Sequence, residues 1–419
     1  MVEMGSGAND EPSGHESEPE HYGLGLCLSG GGYRAMLFHA GVLTRLNEAG
    51  LLSKLDMVSS VSGGSIAAGL LAVLWPNLVF DADGVATNFE RLYLDKILAF
   101  SQVFLDGPCV LKGLLNPFSS TAAEVAACYE RHLFDNKSPM LKSLTKRPWF
   151  VFCASNLSTG SLFRMSHRYI ADYRIGVAYD ADLPVATAVA ASSAFPPVLS
   201  PLRLDLKAFT WTNDKLDDAV GTPVSPDRAV LTDGGVYDNH GIEPALKRCR
   251  WLFVSDAGAP WRASSSGFWN WFGQLKRVFD TTDNQVRALR RRDIIARFKA
   301  AKLADRPGPQ NDGAAKSEFE TVRGVFWSIA TKPVQDPAAP SFVPSAAIPP
   351  ADVGTYLHFL GAEETIDITN WGYCVSDIAL RGYYERAPSP AKGPPVKAAS
   401  VVPSRRALAS KALMSILPV

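Results

Sequence analysis

Two strand–turn–helix units follow one another within the first 75 residues, and this pattern restricts the fold of the chain more than any other feature. Residues 24–28 form a short apolar run that predicts a buried strand, and three glycines at 30–32 follow it directly. Apolar residues then recur at helical spacing. Residues 55–75 repeat the order of strand, glycine turn and helix. Two such units in succession predict an α/β fold with a parallel central sheet.

Further apolar runs extend this prediction along the chain. Residues 149–154, 229–232 and 251–255 are typical of additional buried strands. The spacing of apolar residues over 86–146 predicts helices, whereas the polar segment 206–227 is typical of a long loop.

The charge balance and the cysteines exclude several classes of protein. Lys plus Arg and Asp plus Glu both number 42, so no global basic field attracts nucleic acid, and any membrane contact has to be local and apolar. The six cysteines show no paired spacing, which indicates buried thiols in a reducing compartment and no metal site. Residues 1–20 lack the apolar run of a secretory signal, and the most apolar stretch, 66–80, is interrupted by Pro76. These features predict a soluble or peripheral protein.

Ser62 carries the strongest local signal for chemistry. It lies at the centre of Ser60-Val-Ser-Gly-Gly64, between a predicted strand and a predicted helix. A sharp turn at such a place lifts the serine oxygen away from the backbone, and the helix N-terminus favours developing negative charge. Because a serine in a glycine-rich turn is often only a turn, the motif needs partners to indicate catalysis.

Two more glycine-containing turns supply candidate partners for Ser62. Gly30, Gly31 and Gly32 expose consecutive N–H groups, as an oxyanion hole requires. Asp233, which precedes two glycines, places a carboxylate just after a predicted strand. The C-terminal ends of the strands in an open α/β sheet share one crevice, so the three turns are expected to converge.

The glycine loop also satisfies a dinucleotide-binding pattern, G-x-G-x-x-A, over residues 30–35. That pattern needs an acidic residue at the end of the second strand to hold a ribose. Asp56 lies near the start of that strand, and Ser62 lies at its far end. Nucleotide binding is therefore retained only as an alternative.

The three turns together resemble the motifs of the patatin-like phospholipases, and the glycine loop is also similar to that of the cytosolic phospholipases A2. That family has a glycine loop with a basic residue, a G-x-S-x-G elbow and a D-G-[GA] motif. Residues 156–160 (NLSTG), 191–197 (ASSAFPP) and 235–241 (GVYDNHG) are similar to further stretches of the family pattern. The resemblance extends from about residue 25 to 256, and Ser60 stands where the elbow usually has glycine.

The resemblance implies a three-layer α/β/α patatin-like fold and a catalytic dyad without histidine. Ser62 would then be the nucleophile and Asp233 the base. The N–H groups of Gly30, Gly31 and Gly32 would form the oxyanion hole, and Arg34 would help to fix that loop. The implied activity is hydrolysis of phospholipid or lysophospholipid acyl esters through an acyl-enzyme, without a cofactor. The implied partners are the lipid ester and a membrane surface, contacted peripherally.

Other residues and other functions stay open at this stage. A Ser-His-Asp triad would use His240, seven residues after Asp233, or else His167 or His358. Asp256 also follows a predicted strand and competes as the base. A general carboxylesterase or thioesterase would use the same dyad, whereas a lipid-binding protein would carry a silent one.

Composition divides the chain into a disordered tail (1–20), a patatin-like catalytic domain (21–386) and a flexible tail (387–419). Within the domain, the Pro- and Ala-rich segment 302–350 is predicted to form a lid or excursion around one apolar patch, 325–329. Residues 405–417 have the pattern of a short basic amphipathic helix or a frayed tail. We expect a cytoplasmic protein, although exported members of the family without a classical signal leave export open. The oligomeric state is not indicated.

Overall fold

A computed structural model describes residues 22–105, 121–179, 182–196, 199–212, 227–263, 270–304, 322–332, 340, 342–355, 357–384 and 388–397. The predicted tail over 1–20 and the predicted amphipathic helix over 405–417 lie outside the described residues. Much of the predicted excursion, 305–321 and 333–339, lies outside them as well.

The secondary structure of the described chain alternates between strands and helices in its first half. The strands are β1 Tyr22–Leu28, β2 Met57–Val61, β3 Trp149–Asn156, β4 Ser161–Ser166, β5 Tyr169–Asp172, β6 Gly176–Tyr179, β7 Leu202–Asp205, β8 Arg228–Asp233, β9 Cys249–Asp256 and β10 Arg323–Ser328. The helices are α1 Gly32–Glu48, α2 Gly63–Leu74, α3 Asp95–Phe100, α4 Thr121–His132, α5 Val185–Ser192, α6 Gly235–Asp238, α7 Ile242–Leu246, α8 Trp271–Ala304 and α9 Ala362–Tyr383.

The ten strands form one sheet, in which β10, β9, β1, β2 and β3 are adjacent in that order and parallel. The expected parallel sheet is confirmed for this half. Beyond β3 the chain continues as antiparallel strands β4, β5 and β6, and β8 pairs antiparallel with both β3 and β7. The short strands β4 to β7 were not anticipated, because their alternating or mixed patterns carry a weak signal.

Both faces of the parallel half are buried, which explains its continuous apolar runs. Along β3, Phe150 and Phe152 pack into one core with residues from α1, α2 and α9. Their neighbours Trp149 and Val151 pack into a second core with residues from α7 and α8. Helices therefore cover the sheet on both sides, and the expected three-layer α/β/α arrangement is confirmed.

Two segments lie closer to the core than their composition suggested. The apolar patch of the predicted excursion includes β10, which pairs with β9 and buries Val325 and Trp327. This patch therefore belongs to the sheet. Farther along, the side chain of Asn370 in α9 exchanges two hydrogen bonds with the backbone of Val396, at 2.9 and 3.0 Å. Residues around Val396 thus lie along α9, where the sequence had predicted a flexible tail.

Helices α1 and α9 cross with their backbones in close contact. A Cβ atom on Gly41 would lie 1.8 Å from the carbonyl oxygen of Thr369, and one on Gly372 would lie 2.0 Å from that of Phe38. Only glycine fits at either position. Near the same crossing, Arg45 and Asp377 form a fully buried ion pair at 2.7 Å.

The glycine crossing predicts a specific stability defect. Gly372→Ala places a methyl group against backbone that cannot move independently, so we expect a loss of about 1–3 kcal/mol or more in the free energy of unfolding. Gly382→Ala, in the same helix, meets nothing within 4 Å. This control should gain up to about 1 kcal/mol from helix propensity. Urea unfolding of both variants measures the difference, and equal stability would contradict the close crossing.

Candidate active site

Strands β2 and β8 approach each other head-on along one edge of β3. β2 runs parallel to β3, and its last pairing is Val61 with Cys153. β8 runs antiparallel to β3, and its last residue, Asp233, pairs with Ala154. Because Cys153 and Ala154 are consecutive, the C-terminal ends of the two strands meet. Ser62 and Asp233 are thereby brought together, although one of the two strands is antiparallel and not parallel as expected.

Ser62 occupies a strained turn between β2 and α2. Its φ of 52° and ψ of −122° lie in a region that residues other than glycine rarely adopt, and the residue is buried. The two glycines after it are required by space. A Cβ atom on Gly63 would lie 2.1 Å from the carbonyl oxygen of Gly32, and one on Gly64 would lie 2.4 Å from that of Leu28. The turn therefore packs directly against the glycine loop after β1.

Ser60 fits its position without backbone strain. It lies within β2 and does not have a positive φ, so the conformational freedom of a glycine is not needed there. Its hydroxyl donates to the carbonyl oxygen of Val151 at 3.3 Å and accepts from the hydroxyl of Ser65 at 2.9 Å. The departure from the family pattern at this position leaves the geometry of the turn intact.

Asp233 is a buried carboxyl group beside Ser62. Its Oδ1 accepts a 2.7 Å hydrogen bond from the N–H of Gly235, while Oδ2 has no hydrogen-bond partner among the described residues. Burial raises the pKa of Asp233 to about 6. The neighbouring Ser62 hydroxyl and the Gly235 N–H lower this pKa, but by less than burial raises it. Asp283 of α8 raises the pKa further. A carboxylate with this pKa is a better base near neutral pH than an ordinary aspartate.

The C-terminal end of α5 and the residues that follow it join the two halves of the site. The hydroxyl of Ser192 accepts a hydrogen bond from the N–H of Ser62 at 3.0 Å, and its carbonyl oxygen accepts one from the N–H of Gly234 at 3.1 Å. The carbonyl oxygen of Ala194 accepts from the N–H of Asp233 at 2.9 Å. The sequence stretch 191–197 drew attention only through its resemblance to the family pattern. This stretch acts largely through its backbone carbonyl oxygens. Because any residue has such an oxygen, the amino-acid types in the stretch do not reveal this role.

The glycine loop offers two unoccupied N–H groups. Gly31 and Gly32 have positive φ values of 140° and 57°, and their N–H groups form no hydrogen bond within the described part of the chain. The N–H of Gly30, by contrast, donates to the carbonyl oxygen of Asn239 at 3.0 Å. Of the three glycines in the predicted oxyanion hole, only Gly31 and Gly32 therefore retain free donors.

Arg34 lies beneath the surface, next to the glycine loop. Its side chain is buried and donates to the carbonyl oxygens of Ala257, at 2.7 Å, and Val353, at 2.6 Å. It thereby clamps the chain after β9 against the start of α1. That Arg34 fixes the loop stays a prediction.

His39 also supports the loop. Its Nε2 donates to the carbonyl oxygen of Ser29 at 2.9 Å, because a carbonyl can only accept, and Nδ1 then accepts from the Ser255 hydroxyl at 2.9 Å. Burial lowers the pKa of His39 to about 4, so the ring is neutral and structural near pH 7.

The alternative residues for catalysis lie in a separate arrangement. His240 is buried beside Asp256, with Nε2 3.7 Å from Oδ1, and none of its described contacts reaches Ser62. Burial raises the pKa of Asp256, yet His240 and Arg287 together bring it well below the usual range. The Asp256 carboxylate is therefore held in a cluster with His240 and Arg287. Asp238 accepts hydrogen bonds from the N–H groups of His240 and Glu243 and so caps a turn.

The described residues contain neither a candidate metal centre nor a candidate membrane-spanning helix. No group of three or more His, Cys, Asp and Glu side chains within them is arranged to hold a metal ion. None of the helices in the described ranges is long and apolar enough to span a bilayer.

Comparison with known proteins identifies the family. The model of the patatin-like phospholipase family matches residues 26–246, more than half of the chain. The chain belongs to the patatin-like phospholipase family. This match contains Ser62, Asp233 and the glycine loop.

Curated relatives of this patatin-like protein match over short segments. The putative meiotic phospholipase SPO1 of Saccharomyces cerevisiae is 43% identical over 42 residues, which is 10% of this chain and 7% of that protein. A phospholipase B of Cryptococcus neoformans is 35% identical over 107 residues, which is 20% of this chain and 17% of that protein. The matches span less than a fifth of either relative.

Solved structures give more extended but weaker similarity. Human GIVD cytosolic phospholipase A2, in complex with methyl gamma-linolenyl fluorophosphonate, is 14% identical with a TM-score of 0.47, over 87% of this chain and 58% of that one. VipD from Legionella pneumophila is also 14% identical, with a TM-score of 0.34, over 87% of this chain and 67% of that one.

The burial of Asp233 predicts a variant that is more stable than the parent. Its folded-state pKa of about 6 exceeds the value of 3.8 for an unperturbed aspartate, so the folded protein binds the proton more tightly and is destabilised by ionisation at higher pH. Asp233→Asn removes that charge and can still accept from Gly235. We expect a gain of about 1–3 kcal/mol at pH 7.5, which disappears as the pH falls through 6 to below 4.

Urea unfolding at pH 7.5 and pH 4 tests this expectation. Asp182→Asn is a suitable control because that side chain is 57% exposed, and its effect should stay within about 0.5 kcal/mol. A loss of stability in Asp233→Asn at pH 7.5 would show that the carboxylate is held by favourable contacts and not penalised by burial.

Proposed function

We propose that this protein is a lipid acyl hydrolase that cleaves phospholipid or lysophospholipid acyl esters through a Ser62–Asp233 dyad. The observation that carries the proposal is a serine on a strained strand-to-helix turn, beside a buried carboxyl group whose pKa is raised to about 6. Family membership supports a lipid ester as the substrate. The oxygen Oδ2 of Asp233, which lacks a partner within the described residues, is the proposed proton acceptor.

In the first half of the reaction, Ser62 Oγ forms a bond to the acyl carbon while its proton passes to Asp233. The carbonyl oxygen becomes an oxyanion. When this intermediate collapses, the bond from the acyl carbon to the alcohol oxygen breaks, and Asp233 returns the proton to the leaving alcohol. An acyl-enzyme on Ser62 results.

In the second half, Asp233 removes a proton from water, which attacks the acyl carbon of the acyl-enzyme. Collapse releases the fatty acid, and the proton returns to Ser62 Oγ. Both halves of the reaction develop charge on the same oxygen. The free N–H groups of Gly31 and Gly32 and the N-terminus of α2 are the proposed stabilisers of that charge. Arg34 positions the loop through the carbonyl oxygens of Ala257 and Val353.

The alternatives differ in what they hydrolyse or bind. A carboxylesterase or thioesterase with the same dyad would act equally well on short soluble esters. A lipid-binding protein with a silent dyad would bind vesicles without reacting with a covalent serine probe. Peripheral contact with a membrane is part of the proposal, because long-chain phospholipids reside in bilayers.

Release of fatty acid from mixed phospholipid vesicles tests the activity and the dyad together. We expect Ser62→Ala and Asp233→Asn each to lose roughly a thousandfold or more in kcat, since each removes a reacting group. For the parent, kcat/KM should rise with an apparent pKa of about 6 as Asp233 ionises, and should be low below pH 5.

Labelling by a fluorophosphonate supplies the control. Ser60→Ala, two residues from the proposed nucleophile, should still label, whereas Ser62→Ala should not. Labelling of Ser62→Ala, or full vesicle hydrolysis by Asp233→Asn, would overturn the proposed dyad. Equal kcat/KM values for a short soluble ester and a phospholipid would favour the esterase alternative.

A further inference from the structure

Helix α8 exposes an apolar stripe to solvent. Trp271, Leu275, Val278 and Leu289 are 68%, 58%, 62% and 58% exposed. At 3.6 residues per turn, the four positions lie within about 60° of one another around the helix, over a length of about 27 Å. Large apolar side chains rarely line up on a solvent-facing helix, because that face normally carries polar residues. We call these four residues the α8 stripe.

The opposite side of α8 borders the candidate active site. Arg287 forms an ion pair with Asp256 at 3.5 Å and donates to the carbonyl oxygen of Ala259 at 3.0 Å, on the segment that Arg34 clamps. Arg290 donates to the carbonyl oxygen of Tyr237 at 3.3 Å, within the short helix after Asp233. The helix is thus anchored beside both the glycine loop and the aspartate turn, with the α8 stripe facing away.

Positive charge is concentrated on this helix. Nine Lys and Arg residues lie in α8 against three Asp residues, whereas the whole chain is neutral. Arg292 and Lys299 are exposed and form no ion pair with any described residue. Near the N-terminal end, the Arg277 guanidinium stacks 3.7 Å over the ring of Trp261, which is itself partly exposed. A surface cavity of about 340 Å³ lies on this side of the helix, beside Val278.

We infer that the α8 stripe docks this protein on an anionic phospholipid surface. The inference rests on the proposed function and assigns it a docking surface. An amphipathic helix binds at a bilayer interface when Trp, Leu or Phe side chains on one face are accompanied by Lys and Arg on another. In α8, the stripe supplies the apolar face, and Arg292 and Lys299, which lie about 60–80° around the helix from Leu289, supply charges complementary to phospholipid phosphates.

The chemistry of the helix favours lipid over a protein partner. A partner helix would need acidic side chains opposite a strongly basic surface, whereas an anionic bilayer provides such charge everywhere. A tryptophan at one end of the stripe also suits the boundary between headgroups and acyl chains. Docking through the stripe would hold the bilayer on the outer side of α8, while Arg287 and Arg290 hold the inner side of the same helix beside the site.

Vesicle sedimentation tests the inference without depending on catalysis. All proteins carry Ser62→Ala, so that the vesicles stay intact. We expect the triple substitution Leu275→Ser, Val278→Ser and Leu289→Ser to lower partitioning onto vesicles of phosphatidylcholine and phosphatidylglycerol by about tenfold or more. Arg292→Gln with Lys299→Gln should lower it by about an order of magnitude on these vesicles and far less on pure phosphatidylcholine.

The matched control is the double substitution Val79→Ser and Val343→Ser, which removes two exposed valines, 60% and 81% accessible, that lie outside α8. This control should bind vesicles like the parent, and all variants should keep the parent's unfolding midpoint. Unchanged vesicle binding by the α8 triple variant would overturn the inference. So would a dimeric parent, by light scattering, that the triple substitution converts to a monomer, because the stripe would then be a protein interface.

The outcomes also separate this inference from the proposed function. If the protein with Ser62 intact releases no fatty acid but binds vesicles through the α8 stripe, the docking surface stands and the hydrolase proposal fails. If it releases fatty acid and the triple variant still binds vesicles fully, the hydrolase proposal stands and the docking surface fails.

Discussion

The meeting of β2 and β8 on one edge of β3 is the constraint on which the rest of the site depends. Ser62 and Asp233 are 171 positions apart in the chain, and each is placed by an ordinary strand pairing: Val61 with Cys153, and Asp233 with Ala154. A slip of one residue in either register would turn the end of that strand to the other face of the sheet. Two strand ends that abut leave backbone N–H groups without ladder partners. Ser192 and Ala194 accept hydrogen bonds from those of Ser62 and Asp233, so the short segment at the end of α5 supplies both with an acceptor.

The same arrangement concentrates unfavourable features that the surrounding core offsets. Ser62 has a positive φ, which costs on the order of 1–3 kcal/mol for a residue with a side chain. Asp233 is buried far enough to raise its pKa to about 6. Neither feature would persist in a loosely packed turn. The Ser62 turn is held by close backbone packing against the glycine loop, which His39 and Arg34 in turn hold in place. The Asp233 turn is held by packing of Gly234 against the backbone of Cys153. A base with a raised pKa and a turn that places the serine hydroxyl beside it follow from that rigidity.

The sequence predicted the parts of this structure that have a local signal. The buried runs at β1, β2, β3, β8 and β9 and the helices α1 and α2 follow from apolar spacing, and glycines next to Ser62 and Asp233 marked the turns. The features that the sequence did not predict depend on contacts between residues that are far apart in the chain. β10 is an edge strand inside a Pro- and Ala-rich segment, so composition hid it. The occupied N–H of Gly30 depends on Asn239, which is more than two hundred residues away. The antiparallel entry of β8 leaves no trace in its own apolar run, because a buried strand has the same pattern in either direction.

The exclusion of water from Ser62 and Asp233 links the proposed chemistry to the proposed docking surface. Ser62 and Asp233 are 6% and 4% exposed, so bulk water has little access to the carboxylate. That exclusion keeps the pKa of Asp233 high, and it also means that a substrate reaches the dyad only at the expense of water or of neighbouring side chains. An ester drawn from a bilayer brings an apolar chain that can replace water without solvating the carboxylate. A soluble ester brings its hydration shell. Helix α8 borders the site on one side and presents apolar and basic side chains on the other, so the proposed docking would hold a bilayer, the source of such an ester, one helix away from the buried base.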